Sequence, residues 1–143
     1  MRNAVRTDFP HFLAIPTRWM DNDAYQHVNN VVYYSYFDTA VNQFLIARGV
    51  LDIHKDLVVG LVVDTGCSYF HSIAFPDTVH VGMRVAKLGN SSVRYELALF
   101  RNDEAQPAAA GHFVHVYVDR DSNTPVSVPD KVRQVLATIA APG

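Results

Sequence analysis

One long apolar segment stands out from the shorter patterned stretches of the chain. Residues 31–48 carry apolar side chains on more than one helical face, and their only formal charges are Asp38 and Arg48. The first face has the spacing of three and four residues that is typical of a helix, and its members are Tyr33, Phe37, Ala40, Phe44 and Ala47. Gly49 follows directly and is a common residue at helix ends. The pattern predicts a long helix over 31–48 that is buried on several sides.

Most of the remaining chain shows the two-residue alternation of β-strands. In the clearest case, residues 78–88, one predicted face consists of Val79, Val81, Met83 and Val85. Turn signals rich in Pro, Gly, Asn and Asp separate predicted strands over 11–18, 57–70, 78–88, 92–101 and 108–119. Pro16 marks the first strand as an edge or a bulge. Residues 129–139 begin with a proline and predict a short helix.

The order of these elements predicts an α+β domain. Consecutive strands joined by short turns form an antiparallel sheet, and a single sheet that buries one long helix must curl around it. No repeat, low-complexity tract or linker divides the chain, so residues 1–143 are predicted to form one domain. Such a sheet leaves an open edge, which predicts association through strands into a homodimer or a dimer of dimers.

Composition and charge exclude several classes of function. The 143 residues are 49% hydrophobic and 18% charged, as in a globular protein. The net charge of -2 provides no basic field for nucleic acid or an anionic membrane. The single cysteine, Cys67, cannot form an internal disulfide, and neither a signal-peptide pattern nor an apolar run of about 20 residues is present. We therefore expect a cytoplasmic protein without a membrane span.

A polar loop precedes the predicted helix. Residues 19–30, WMDNDAYQHVNN, hold two carboxylates, a histidine and several amides. Together with the helix they form the pattern R-W-x-D-x-D-x-x-x-H-V-N-N-x-x-Y-x-x-Y-F-D over 18–38, which continues at 64–70, 89–95 and 115–119. This sequence resembles the hotdog-fold acyl-CoA thioesterases of the 4-hydroxybenzoyl-CoA thioesterase type.

The resemblance implies a hotdog fold, in which a curled antiparallel sheet wraps a long central helix and two copies share one continuous sheet. It places the active site at the subunit interface, beside the polar loop and the start of the helix, with Asp23 as the acid. The chain departs from many members at two points. Gln26 stands where many members have a glycine, at a loop position for which a left-handed backbone is expected. Residues 39–41 lack the arginine that follows the helix acid in many members.

The loop residues suit thioester hydrolysis, because a reactive thioester needs only a carboxylate and a site for the oxyanion. Asp23 is predicted to attack the carbonyl or to activate water. The helix amides from Asn30 to Val32 are predicted to polarise the carbonyl, because the first amides of a helix lack intrahelical partners. We predict catalytic roles for Asp23, His27 and Asn30, and substrate contacts from Asn29, Val31 and Tyr33.

Several of these residues also have a structural interpretation. Asp21 is expected to hold the loop as a hydrogen-bond acceptor. Asn29 and Asn30 are of a type that commonly caps helices. Tyr33 suits core packing, and Asp38 is either a buried acid or a part of the site.

Coenzyme A carries phosphates, and no glycine-rich phosphate loop is present. The residues predicted to contact these phosphates lie around one turn between strands; they are Ser91, Ser92 and Arg94. The alternative interpretation is that they form a solvated edge of the sheet without a ligand. No cofactor or metal is predicted, because the acids and histidine of the loop do not match the spacing of a calcium loop. Cys67 lies in an apolar strand and is expected to be an inert thiol.

Three functions are compatible with the sequence. The leading prediction is hydrolysis of acyl-CoA to a free acid and CoA. The alternative is a protein of the same fold that binds acyl-CoA or another acyl ligand without hydrolysing it. A hydratase is the third, and its usual acid and histidine pattern is not evident in the chain.

Overall fold

The computed structural model describes residues 1–142. The elements follow in the order β1 (His11–Pro16), α1 (Asn30–Ala47), β2 (Val58–Tyr69), β3 (Thr78–Leu88), β4 (Ser92–Arg101), β5 (Ala109–Asp119) and α2 (Asp130–Ala137). Short 3-10 turns at Arg6–Asp8 and Trp19–Asp21 flank β1. Every predicted helix and strand is present, and the boundaries agree to within about two residues, the usual spread at element ends.

The strands form one five-stranded antiparallel sheet in the order β1-β3-β4-β5-β2. β1 ends before the predicted residue 18 because Thr17 leaves the ladder and bonds to the carbonyl of Asp77 through its N–H and hydroxyl. A register shift between Val62 and Asp64 marks a bulge in β2 and increases the local bend. β2 forms one edge of the sheet, and no strand of residues 1–142 pairs with its outer side.

The concave face of the sheet packs against α1 and forms the main core. Phe37 of α1 and Tyr95 of β4 have no exposed surface, and burying a side chain such as Phe37 stabilises the fold by roughly 1.5–3 kcal/mol. The predicted inward face of β3 is confirmed, since its members are all buried: Val79, Val81, Met83 and Val85. The helix stops at Gly49, which has a φ of 74° and donates its N–H to the carbonyl of Ile46. This is the predicted curled sheet around one long helix, the hotdog fold.

One side of α1 remains open. Val31 is 73% exposed and Ile46 is 52% exposed. The prediction that α1 is buried on several sides is therefore wrong for this open side. It is also wrong for Ala47, which is exposed. The sheet of a single chain covers one side of the helix only. Asp38 is also exposed rather than buried, and its carboxylate accepts a hydrogen bond from the side chain of Asn42 at 2.9 Å.

The N-terminal residues cover part of the convex face of the sheet. Phe9 packs edge-on against Phe12 and Phe100, with ring centroids 6.4 and 6.1 Å apart. These rings form a second, smaller core with Ala98 and Ala110.

Candidate active site

The polar loop folds as a tight turn closed by backbone hydrogen bonds. Asn22 and Val28 face each other in an isolated antiparallel bridge, and the N–H of Asp23 donates to the carbonyl of His27 over 2.9 Å. Gln26 has a φ of 65°, in the left-handed region. Glutamine therefore adopts the left-handed conformation at a position where many hotdog-fold thioesterases have a glycine. For an L-residue this conformation costs about 1–2 kcal/mol of folding free energy.

Asp21 fastens this turn to the rest of the domain. Its side chain is 1% exposed. Its carboxylate accepts hydrogen bonds from the backbone and guanidinium of Arg18 and from the hydroxyl of Tyr36, each at 2.9 Å. Burial by itself raises the pKa of Asp21, but these hydrogen bonds and the charge of Arg18 outweigh burial and hold the pKa below its ordinary value. Asp21 is thus an ionised structural acceptor, in agreement with its predicted role.

The carboxylate of Asp23 lies half-buried at the start of the turn. Its Oδ1 accepts the backbone N–H of Tyr25 at 2.8 Å, which orients the group, and no residue of 1–142 donates to Oδ2. An oriented carboxylate with one free oxygen can add to a carbonyl carbon or take a proton from water.

The start of α1 offers one free amide. Asn29 caps the helix, because its Oδ1 accepts the N–H of Val31 at 3.0 Å and its carbonyl accepts the N–H of Val32 at 2.9 Å. The prediction of free amides from Asn30 to Val32 is therefore wrong for Val31 and Val32. The N–H of Asn30 has no acceptor among residues 1–142 and lies at the positive end of the helix dipole.

A small cavity of about 230 Å³ is lined in part by Asn30. Its wall brings together three of the predicted site residues, His27, Asn30 and Tyr33, but does not include Asp23. Sequence reasoning missed the other wall residues, which are Val28, Tyr69, Phe70, His71 and Ser72. Within one chain, the cavity is therefore lined by Asn30 but not by the predicted acid, Asp23.

Tyr69 connects the end of β2 to the helix start. Its hydroxyl donates to the carbonyl of Asn30 at 3.1 Å, and its ring lies edge-on to Tyr33, with centroids 4.9 Å apart. Burial raises the pKa of both phenols, so both stay protonated at neutral pH. Tyr69 belongs to the 64–70 segment of the family pattern, which was the available signal for it.

The predicted phosphate contacts lie at the other end of the sheet; they are Ser91, Ser92 and Arg94. Ser92 pairs with Val116, whereas Tyr69, at the candidate site, pairs with Ala109. The part of β5 between Ala109 and Val116 is about 23 Å long at 3.3 Å per residue. Arg94 lines a separate cavity of about 390 Å³ on the convex face. A single chain therefore does not bring these residues to Asp23.

The one cysteine is poorly suited to nucleophilic chemistry. Burial raises the pKa of Cys67 to about 11, which keeps it in the thiol form. Within residues 1–142, no group of three or more potential metal-ligating acid, histidine or cysteine side chains is assembled. In the same part of the chain, neither helix has the length and apolar character needed to cross a membrane.

Known proteins match both the sequence and the fold. The thioesterase-like superfamily matches residues 17–136. The crystal structure of the PA5185 protein from Pseudomonas aeruginosa strain PAO1 is similar over 96% of each chain, with 54% identity and a TM-score of 0.93. The PA2801 protein from Pseudomonas aeruginosa is 31% identical over 92% of this chain and 99% of its own, with a TM-score of 0.83. DHNA-CoA thioesterase from Staphylococcus aureus shares the fold at 19% identity, over 90% of this chain and 89% of its own, with a TM-score of 0.81.

These matches confirm the resemblance to hotdog-fold thioesterases and support thioester hydrolysis in general. The matched residues 17–136 include the polar loop, α1 and the four long strands of the sheet. The chain belongs to the thioesterase-like superfamily.

Proposed function

We propose that this protein hydrolyses acyl-CoA thioesters to a free acid and CoA. The observation that carries the proposal is the free N–H of Asn30, at the start of α1 and beside the turn that orients the Asp23 carboxylate. Superfamily membership supports thioester hydrolysis. The name of the Staphylococcus aureus relative supports a CoA thioester as the substrate class.

In the proposed reaction, the thioester oxygen accepts the N–H of Asn30 while negative charge develops on it. Asp23 either adds to the carbonyl carbon or takes a proton from a water molecule that adds. The C–S bond then breaks, and the sulfur leaves as a thiolate that takes up a proton. In the first route the acyl group is left as a mixed anhydride with Asp23, and water cleaves this anhydride to release the acid and restore the carboxylate. In the second route the water that adds becomes the new hydroxyl of the acid. His27 is exposed and lines the cavity, so it is positioned to exchange this proton with solvent.

The substrate contacts proposed at the helix start surround the same amide. Tyr33 lines the cavity next to Asn30. The exposed side chain of Val31 offers an apolar surface on the open side of α1. Asn29 fixes the helix start through its cap and thereby holds the direction of the Asn30 N–H.

The proposal includes a homodimer, or a dimer of dimers, formed through the open edge of β2. Leu61, Val62 and Val63 on this strand are 43%, 45% and 60% exposed. Two copies of one edge strand related by a two-fold axis pair in antiparallel fashion. The end of β2 in one copy then lies beside the start of β2 in the other. This pairing brings the second copy's Ser91–Arg94 turn region toward the polar loop, where we propose that it contacts the substrate phosphates; its residues are Ser91, Ser92 and Arg94.

The substitution Asp23→Asn tests the proposed acid. We expect thiol release from acyl-CoA to fall by at least about two orders of magnitude, because the carboxylate is the attacking group or the base. The melting temperature should stay close to that of the wild type, because the amide oxygen still accepts the N–H of Tyr25. The assay records free thiol over short, long, branched and aromatic acyl-CoAs.

The matched control is Asp121→Asn, an exposed acid between β5 and α2, which should change neither quantity. Near-normal thiol release by a folded Asp23→Asn variant would remove Asp23 from this role. Binding of acyl-CoA to the wild type without any thiol release would favour the alternative function, a non-catalytic acyl-CoA-binding protein.

A further inference from the structure

A larger cavity, of about 450 Å³, lies toward the far end of α1 from the candidate active site. This volume is within the range of about 300–1,000 Å³ that is typical of small-molecule sites. Asn42 of α1 lines the cavity, about 18 Å along the helix from Asn30 at 1.5 Å per residue. Aliphatic side chains form about half of the wall, with contributions from Leu45, Val50, Leu51, Leu57, Val58 and Val132; the wall also includes the charged residues Lys55, Asp56, Arg120 and Lys131.

The inner wall of this cavity carries a buried histidine, His115. The side chain is 2% exposed and lines the cavity. The rings of Phe113, Tyr95 and Tyr117 surround it, with centroids 5.1, 5.9 and 6.2 Å from the imidazole. The Nδ1 atom of His115 is itself covered by protein and has no hydrogen-bond partner within residues 1–142. Buried polar side chains are nearly always paired in folded proteins. The other ring nitrogen, Nε2, is not covered in this way, so a ligand in the cavity can pair with the ring there.

Gly60 packs closely against the imidazole. A Cβ at position 60 would lie 3.1 Å from Nδ1 of His115, so a larger residue would press on the ring. Burial lowers the pKa of His115 to about 4, and the neutral ring therefore offers one donor and one acceptor nitrogen. Burial also raises the pKa of Tyr117, on the same wall, to about 12. Two neutral polar groups suit a hydroxyl, which donates and accepts, better than a carboxylate.

The cavity and the candidate active site meet across the proposed dimer. Val58 and Gly60, at the start of β2, line the cavity. Tyr69, at the end of β2, bonds to Asn30 at the helix start. In an antiparallel pair of β2 strands, the end of one strand lies beside the start of the other. A thioester carbonyl held at the helix start of one copy then lies next to the cavity of the second copy.

We propose that this cavity receives the acyl group of the thioester held by the other copy, and that His115 selects aliphatic acyl groups with a hydroxyl at their far end. The proposal rests on the proposed thioesterase function. The aliphatic side chains of the wall contact the chain, and His115 and Tyr117 bind the hydroxyl at the inner end. The acyl hydroxyl thereby gives the Nε2 atom of the buried ring a hydrogen-bond partner.

Direct binding tests the cavity without turnover. Protein with isotopically labelled histidine is titrated with ω-hydroxyoctanoate and with octanoate, and Kd and the NMR signals of the His115 ring nitrogens are recorded. We expect the hydroxy acid to shift these signals and to bind at least about tenfold more tightly, because the hydroxyl pairs with the ring.

Three variants locate the effect. His115→Phe keeps an aromatic ring and should abolish the preference for the hydroxy acid. Gly60→Ala places a methyl group against Nδ1 and should reduce the preference. The matched control is His112→Gln, on the same strand but lining the convex-face cavity, and it should keep the preference.

Turnover separates this proposal from the proposed function. We expect kcat/KM for ω-hydroxyoctanoyl-CoA to exceed that for octanoyl-CoA by at least about tenfold in the wild type, and the two values to be nearly equal in His115→Phe. Hydrolysis of both substrates without a preference, with unshifted His115 signals, would overturn the cavity proposal and leave the proposed function standing. A preference for the hydroxy substrate that persists in His115→Phe would also overturn the cavity proposal. Binding at His115 without hydrolysis of either thioester would overturn the proposed function and support the cavity as an acyl site.

Discussion

Asn29 and Asn30 are neighbours in the chain but contribute different groups to the helix start. The side chain of Asn29 accepts the N–H of Val31, so Asn29→Ala is expected to lower the free energy of unfolding by about 1 kcal/mol. Asn30 contributes its backbone N–H, which alanine retains. We therefore expect Asn30→Ala to keep its turnover per folded molecule.

Proline at position 30 tests the amide itself. Proline is common at the first helical position, and Asn29, with φ of -61° and ψ of 138°, already has the conformation favoured before a proline. We expect Asn30→Pro to melt close to Asn30→Ala but to release thiol about 10²–10³ times more slowly, because the oxyanion donor is gone. Equal turnover in the two variants would exclude the Asn30 N–H as that donor.

At the scale of residues, only part of the site could be predicted from the sequence. His27 and Asn30 fall within one motif, and the structure places both on one cavity wall. Which amide is free could not be predicted, because it depends on the direction of the Asn29 side chain. Tyr69 was missed because its contact with Asn30 joins residues 39 positions apart.

At the scale of elements, β2 is the strand on which the proposed dimer depends. Val63, at the bulge, is 60% exposed. A lysine on an edge strand opposes pairing with a second copy, so we expect Val63→Lys to shift the protein toward monomer in light scattering at micromolar concentration. Turnover should fall with the dimer fraction.

Ala14→Lys is the matched control for this measurement, because Ala14 is exposed on β1, the other edge strand. This variant should keep the size and turnover of the wild type. A wild-type protein that is active as a stable monomer would contradict the proposed dimer.

Helices and strands were predictable because their side-chain periods differ, at about 3.6 residues for a helix and 2 for a strand. The burial of an element was less predictable. The apolar pattern of α1 includes Val31, Ile46 and Ala47, which are exposed in a single chain, because periodicity records which side chains are apolar and not what covers them. The distance from Ser92 to Tyr69 depends on the order of the strands in the sheet. The alternation of polar and apolar residues along each strand does not reveal that order.

At the scale of the whole molecule, stability should depend on pH through His115. Burial lowers its pKa from 6.5 to about 4, so between these values the unfolded chain binds more protons than the folded chain. The free energy of unfolding therefore falls as pH decreases from 6.5 toward 4, by about 3 kcal/mol in total from this residue. Burial and the charge of Arg48 lower the pKa of His11, which acts in the same direction.

Urea unfolding across this pH interval measures the effect. His115→Phe should flatten the pH dependence of the free energy of unfolding, because it removes the buried group that must stay neutral. An equally steep dependence in His115→Phe would show that other groups cause it.

The single strand β2 serves two separate places: its end holds the helix start through Tyr69, and its start lines the large cavity through Val58 and Gly60. In the proposed dimer, each site therefore combines a loop from one copy with a cavity from the other. When copies with Asp23→Asn mix with copies whose cavity is blocked, one site of each mixed dimer has both defects and the other site has neither. Two alleles that are each inactive alone are then expected to complement one another within the same cell.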